Sequence, residues 1–104
     1  MIGYNDLSRN LEIKDIVTNY EQIIRTIKTQ SPRTEIYIQS VLPVNYNSYK
    51  GRVKNEDIVK LNEQLKSISK TNGVADIDLF SRFCDSNQQL HPDYAGKDGL
   101  HLKG

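Results

Sequence analysis

The alternation of helical and extended patterns restricts the fold of this chain more than any other feature of its sequence. Apolar residues recur at helical spacing over residues 13–30 and again over residues 55–72. Runs rich in β-branched and aromatic residues follow them, near 36–41 and 74–79, and favour strands. A strand, a helix and a second strand in this order make one crossover unit, in which the two strands run parallel. We therefore predict an α/β fold.

Proline, asparagine and glycine residues mark where these elements should begin and end. Pro32 disfavours helical backbone at the residue before it, so the first helix should stop there. Asn55 is predicted to cap the second helix, and Gly73 to end it at a position that tolerates positive φ. The strand run "EIYIQSVL" has few charges, which is typical of a strand buried on both faces, and Pro43 closes it.

The loops that leave the predicted strands carry polar residues that should meet at one rim. An additional first strand is predicted at "MIG", which is apolar and stops at Gly3. The exit loops of the three strands begin with "YNDL", "PVN" and "SRFCD", and a later loop contains "KDGLHL". In an open parallel sheet, functional groups collect beyond the carboxyl ends of the strands, because all exit loops there lie on the same side. The residues expected at this rim are Asn5, Asp6, Asn45, Asp98 and His101.

Charge and composition argue against several classes of function. Fourteen basic and thirteen acidic residues leave a net charge of +1 without a run of one sign, so nothing attracts nucleic acid or an anionic membrane surface. No apolar stretch approaches the roughly 18 residues that span a bilayer. Cys84 is the only cysteine, and we expect it to be a small buried hydrophobe. Neither a nucleic acid partner nor a membrane span is expected.

The segment "KDGLHL" places a carboxylate three positions before an imidazole, with a glycine between them that frees the backbone to turn. Asp98 can then orient His101 as a general base. A surface Asp and His at this spacing also occur together by chance. With His91 and Asp93 they would be permissible metal ligands, but their spacing fits no zinc pattern. We expect no metal and no cofactor.

A polar stretch, "NYNSYKGRVK", lies between the strand and the second helix. Its tyrosines and basic residues suit either a substrate rim or a solvated loop. The solvated loop is the favoured interpretation.

Two short motifs resemble those of a known enzyme family. "MIGYNDL" is similar to the G-x-N-D block, and "DGLH" to the D-x-x-H block, of the SGNH or GDSL family of serine ester hydrolases. The segment "NYEQIIRTIKTQSPRTEIYIQSVLPVN" resembles the helix and strand that follow the first block in bacterial acylhydrolases of this family. "ADIDLF" and "LHPDYAGKDGLHL" resemble the strand and the approach that precede the second block. The resemblance implies a three-layer, flavodoxin-like α/β fold.

The resemblance also implies a role for each matching residue. His101 would be the general base that takes the proton of the nucleophile, and Asp98 would hold the imidazole in the right tautomer. Asn5 would donate its side-chain amide to the oxyanion, where one such donor is worth about 3–4 kcal/mol of barrier. Gly3 would let the chain turn closely beneath the site.

Four further residues at the rim receive weaker assignments. Asp6 matches the first motif, but a carboxylate after a strand more often braces the turn or caps the next segment. The three residues of the "PVN" exit are candidate pocket residues: Pro43, Val44 and Asn45.

The chain departs from the family pattern in one important respect. Family members begin with a strand ending in G-D-S, whose serine is the nucleophile, and a second block adds an oxyanion-hole glycine. Neither block is present, and none of the eight serines stands in a G-D-S or G-x-S-x-G context. Ser40, near the end of a strand, is the least implausible substitute. Residues 1–104 are therefore expected to be the carboxyl-terminal part of one hydrolase domain, inactive alone.

Two functional interpretations follow. In the first, the complete domain hydrolyses small acyl esters or acetylated carbohydrates. In the second, the chain is a non-catalytic α/β module that binds a partner at the same rim. Because the family's first strands are missing, we expect an unpaired sheet edge, and hence self-association or complementation by an amino-terminal half.

Overall fold

The computed structural model of the chain describes residues 2–47, 49–96 and 99–100. Six elements follow one another along the described chain. In order they are α1 (Ile2–Ser8), α2 (Ile13–Gln30), β1 (Tyr37–Gln39), α3 (Asn55–Asn72), β2 (Ala75–Ile77) and α4 (Phe80–Phe83). No helix within these ranges combines the length and the apolar character needed to cross a membrane.

The sheet confirms the predicted α/β class. β1 pairs with β2 in parallel, with Tyr37 opposite Ala75 and Gln39 opposite Ile77. The helix α3 connects the two strands, as the strand–helix–strand order predicts. Both strands are shorter than the predicted runs at 36–41 and 74–79, because regular pairing covers only three residues of each.

The predicted first strand is wrong, since α1 occupies its place. Tyr4 and Leu7 stand three positions apart, so a helix brings both to the same face, where they pack against the core. Asn10 ends this helix in the left-handed conformation at φ 63°. The backbone N–H of Leu11 donates to the carbonyl of Asp6 at 3.2 Å, which completes the cap. Two apolar residues before a glycine carried too little pattern to reveal this.

The ends of the two long helices are explained by single residues. The N–H of Ser31, the residue before Pro32, donates to the carbonyl of Ile27 at the end of α2. Gly73 ends α3 at φ 65°, and the Val74 N–H donates to the Ser69 carbonyl at 2.9 Å. Both ends confirm the predictions from Pro32 and Gly73.

The core lies on one face of the sheet, where α3 packs against both strands and α2 packs against α3. Ile38 of β1 points into it, whereas Tyr37 is 57% exposed and Gln39 is also exposed. The prediction that this strand is buried on both faces is therefore wrong, because described elements cover only the Ile38 face. The other buried core residues are Ile16, Val17, Ile24, Val41, Val44, Val53, Ile58, Leu61, Leu65 and Ile68.

Candidate active-site rim

Two asparagines of α3 hold the segment that leaves β1. Asn62 accepts from the Val41 N–H at 2.7 Å and donates to the Val41 carbonyl at 2.9 Å. Asn55 binds Val44 in the same way, accepting at 2.7 Å and donating at 2.9 Å. Asn55 is thus not the predicted helix cap: Lys54 stands at the cap position, and the Asn55 amide is used on Val44 instead.

Asn45 follows directly and is the centre of the rim. It is only 4% exposed, and four of its polar groups are hydrogen-bonded. Its backbone N–H donates to the Gly99 carbonyl and its own carbonyl accepts from the Tyr49 N–H, both at 2.8 Å. Its side-chain amide donates to the Leu90 carbonyl at 2.7 Å, and its side-chain oxygen accepts from the Asn47 N–H at 3.0 Å. The "PVN" exit is therefore joined to Gly99 of the "DGLH" motif.

Gly99 is required at its position for two reasons. Its φ of 68° lies in the left-handed region, which favours glycine. A Cβ here would also stand 2.5 Å from both the Asn45 carbonyl oxygen and the Tyr49 nitrogen. The expectation that this glycine allows the backbone to turn is confirmed.

Tyr49 connects the same centre to α1. Its hydroxyl lies 2.6 Å from that of Tyr4, and the two rings meet edge to face with centroids 6.1 Å apart. The Val53 N–H donates to the Tyr49 hydroxyl at 3.1 Å. Tyr4 belongs to the "GYND" segment and directly precedes Asn5, so this segment and Gly99 both contact the segment around Asn45. The solvated loop predicted here has exposed residues, but Tyr49 itself is partly buried.

The first motif provides two polar side chains. Asn5 is exposed on α1, and its backbone carbonyl accepts from the Arg9 N–H at 3.1 Å. Asp6 is half-buried, and its backbone oxygen, rather than its carboxylate, accepts from the N–H groups of Arg9 and Leu11. Gly3 lies within α1. Asp98 and His101 lie outside the described residues, so their pairing stays a prediction.

The candidate pocket residues Pro43 and Val44 are fully buried, and Asn45 beside them is 4% exposed. The Val44 carbonyl accepts from the Leu90 N–H at 3.1 Å in addition to its bond from Asn55. In the described part of the chain, these two residues are packed in the interior next to Asn45. A contribution to a pocket wall stays a prediction.

A charged cleft of about 180 Å³ lies beside the rim, between α3 and the end of β2. Burial raises the pKa of Asp76, and the charge of Asp78 adds to this, while Lys66 opposes both. Hydrogen bonds from the side chain and backbone of Ser81 lower the pKa of Asp78. Asp78 accepts these bonds at 2.7 Å and 3.1 Å. The two carboxyl groups thus have opposite preferences for charge.

Ser40 also lines this cleft, and its hydroxyl has a structural partner. The Phe80 N–H donates to the Ser40 oxygen at 2.8 Å, at the start of α4. Cys84 is half-buried rather than buried as expected, and pairs with Leu90 through an isolated bridge. Among the described residues, no three His, Cys, Asp or Glu side chains are grouped as metal ligands would be.

Sequence reasoning missed the structural asparagines and the tyrosine pair. Asn55 and Asn62 stand seven positions apart, two helical turns, in phase with the apolar stripe of Ile58 and Leu65. Polar residues on a buried helix face must find partners, and this signal could have revealed them. The contact of Tyr4 with Tyr49 spans 45 positions and left no local signal.

The chain is similar to a known enzyme family and to several solved structures. A model of the GDSL-like Lipase/Acylhydrolase family matches residues 1–104. A structure from Streptococcus pneumonia, provisionally described as a platelet activating factor, is 30% identical with a TM-score of 0.88. The match covers 95% of this chain and 48% of that chain. No curated protein shows a significant match.

Two Bacteroides structures share the fold. A provisionally described acylhydrolase from Bacteroides fragilis is 24% identical with a TM-score of 0.78, covering 94% of this chain and 49% of that one. A GDSL-like lipase from Bacteroides thetaiotaomicron is 21% identical with a TM-score of 0.74, covering 90% and 46%. The chain thus spans about half the length of the structures it matches.

Proposed function

Because the chain belongs to the GDSL-like lipase/acylhydrolase family, we propose that it is the carboxyl-terminal part of a serine-dependent carboxylic ester hydrolase domain. His101 is the general base, and Asp98 orients its imidazole and stabilises the charged form. Asn5 donates its amide to the oxyanion of the tetrahedral intermediate. The substrate class is a small acyl ester, including acetyl esters of carbohydrates.

The observation that supports this proposal most is the hydrogen-bonded chain through the rim. The Tyr4 hydroxyl contacts that of Tyr49, the Tyr49 N–H donates to Asn45, and the Asn45 N–H donates to Gly99. These contacts tie both segments with family motifs to one support, although the motifs are far apart in sequence. Catalysis by a base and an oxyanion donor needs such convergence, since both act on the same reacting carbonyl.

The nucleophile comes from outside this chain in our proposal. None of the eight serines has the sequence context of a family nucleophile, and the Ser40 oxygen serves as the acceptor for the Phe80 N–H at the start of α4. The serine supplied by an amino-terminal segment would attack the ester carbonyl while His101 takes its proton. His101 would then return the proton to the leaving alcohol, and water would release the acyl group by the same route. The chain alone is therefore inactive.

The free edge of β1 is the proposed docking position for that segment. Among the described residues, β1 pairs only with β2. Along β1 and α2 runs an apolar groove of about 330 Å³, whose lining includes Tyr20, Ile27 and the 47%-exposed Ile23. A parallel strand would satisfy the edge and cover this groove. Without it, we expect copies of the chain to associate through the same edge.

The test uses the reading frame extended upstream of Met1, expressed as one polypeptide and assayed with p-nitrophenyl acetate. An in-frame strand ending in G-D-S supports the hydrolase, whereas a genuine start signal without such a strand favours the non-catalytic module. In the extended enzyme, His101→Ala should lower kcat by at least about a thousandfold. His91→Ala is the matched control, because His91 is the only other histidine. Near-normal turnover of His101→Ala would remove this residue from the mechanism.

A further inference from the structure

We infer that Asn45 is a positioning residue for the reaction: it fixes both ends of the loop that carries Asp98 and thereby sets the base on which hydrolysis depends. This inference rests on the proposed function and deepens it. Asn45 acts through backbone groups of the loop, not through contact with the substrate. Its role therefore differs from that of a pocket wall.

The contacts of Asn45 reach the loop at two separate points. Its side-chain amide donates to the carbonyl of Leu90, where the loop begins, at 2.7 Å. Its backbone N–H donates to the carbonyl of Gly99, next to Asp98 in sequence, at 2.8 Å. One buried residue thus ties together two points nine positions apart. Fixing both ends of a loop removes most of the conformations that it could otherwise adopt.

Asn45 can serve as a reference point because it is itself rigidly held. Asn55 of α3 binds both the N–H and the carbonyl of Val44, the preceding residue. The Asn45 side-chain oxygen accepts from the Asn47 N–H, so the ring of contacts also fixes the side chain. The hydrogen bonds from Asn55 of α3 to Val44, and from Asn45 to Gly99, therefore fix the position of Gly99 relative to α3. Misplacement of a catalytic group by about 1 Å can cost about a hundredfold in rate. The position of Gly99, next to Asp98 in sequence, therefore matters for turnover.

The Asn45 side chain meets two requirements at this position. The site needs a donor toward the Leu90 carbonyl and an acceptor for the Asn47 N–H, both at short reach. Aspartate would direct a carboxylate oxygen at the Leu90 carbonyl, and alanine would leave both partners unsatisfied. Glutamine offers both groups, but one methylene farther from the backbone.

The experiment measures the loop directly in the chain as it stands, by hydrogen exchange and by NMR of the His101 ring. Asn45→Ala should speed amide exchange within residues 91–100 by at least about tenfold relative to α2 amides in the same sample. It should also change the pH titration of the His101 ring signals, which a His101→Gln variant identifies. Asn72→Ala is the matched control, since it removes a side-chain amide contact with the Ile68 carbonyl, at the far end of α3 from the loop. It should leave both readouts unchanged.

A second variant changes the packing of the same two residues from the side of the loop. Gly99→Ala places a Cβ against the Asn45 carbonyl oxygen, and it should alter the His101 titration in the way that Asn45→Ala does. If both variants unfold, hydrogen exchange in the wild-type chain still tests the inference. The Asn45 amide proton should then exchange as slowly as the amides of α3, and rapid exchange would refute the inference.

The inference fails if folded Asn45→Ala leaves exchange and titration unchanged, or if Asn72→Ala changes them equally. Neither readout requires hydrolysis. An extended enzyme without esterase activity would therefore overturn the proposed function, while an unaltered loop would overturn the positioning role alone.

Discussion

At the scale of single residues, asparagine side chains hold the rim by hydrogen bonding to backbone groups that have no strand partner among the described residues. An amide offers one donor face and one acceptor, so it can satisfy the N–H and carbonyl of another residue together. Asn55 and Asn62 do so for Val44 and Val41. The sequence predicted Asn45 at the rim and misassigned Asn55 as a cap. An asparagine near a helix start is usually a cap, and only the tertiary fold provides the alternative partner.

We predict that removing the charge of Asp76 and removing that of Asp78 change the free energy of unfolding in opposite directions. The raised pKa of Asp76 means that its ionised form costs stability above that pKa, so Asp76→Asn should increase the free energy of unfolding at neutral pH. The lowered pKa of Asp78 means that its ionised form contributes stability that is lost as pH falls through that pKa. Asp78→Asn should therefore decrease the free energy of unfolding at neutral pH.

Both changes should be below about 1 kcal/mol, because solvent screens groups at this surface cleft. Both should disappear in acid, once each carboxyl is protonated in the folded and unfolded states. Urea unfolding of the two variants at neutral and acidic pH checks this. Changes of the same sign at neutral pH would contradict the assigned environments.

At the scale of elements, the length of a pattern decided how well the sequence predicted it. α2 and α3 each hold 18 residues of apolar periodicity, and both agree with the predicted ranges. α1 has seven residues, and its signals are Tyr4, Leu7 and the terminal Asn10, so the apolar start was mistaken for a strand. The strands are three residues long, since pairing with a partner, not propensity, sets their ends.

The exposed edge of β1 gives the prediction at this scale. Gln39 is exposed and lies along the apolar groove, so Gln39→Lys places a charge where another strand would pair. We expect the wild-type chain to self-associate at micromolar concentrations and Gln39→Lys to reduce this. Gln64→Lys, on the exposed side of α3, is a control with the same change in charge.

Size-exclusion chromatography with light scattering measures the outcome. A monomeric wild-type chain would refute association through this edge. Equal behaviour of the two lysine variants would place the contact elsewhere.

At the scale of the whole molecule, α3 links the parts on which the account depends. It packs against α1, α2 and both strands, and its asparagines hold the segment that reaches Gly99. The family model over residues 1–104 confirms the resemblance drawn from "MIGYNDL" and "DGLH". Sequence could identify these motifs and the α/β frame. It could not reveal the Tyr4–Tyr49–Asn45 connection, because those contacts depend on tertiary packing.

The central claim is that the segments of Asn5 and His101 converge on one rim, and a spin label tests it most directly. A nitroxide on Asn5→Cys, in a Cys84→Ser background with Gln39→Lys to keep chains apart, should broaden the His101 ring signals. The same label on Thr71→Cys is the control, near the opposite end of α3, which is about 27 Å long. It should leave those signals sharp. Sharp His101 signals with the label at position 5, in a folded chain, would contradict the account.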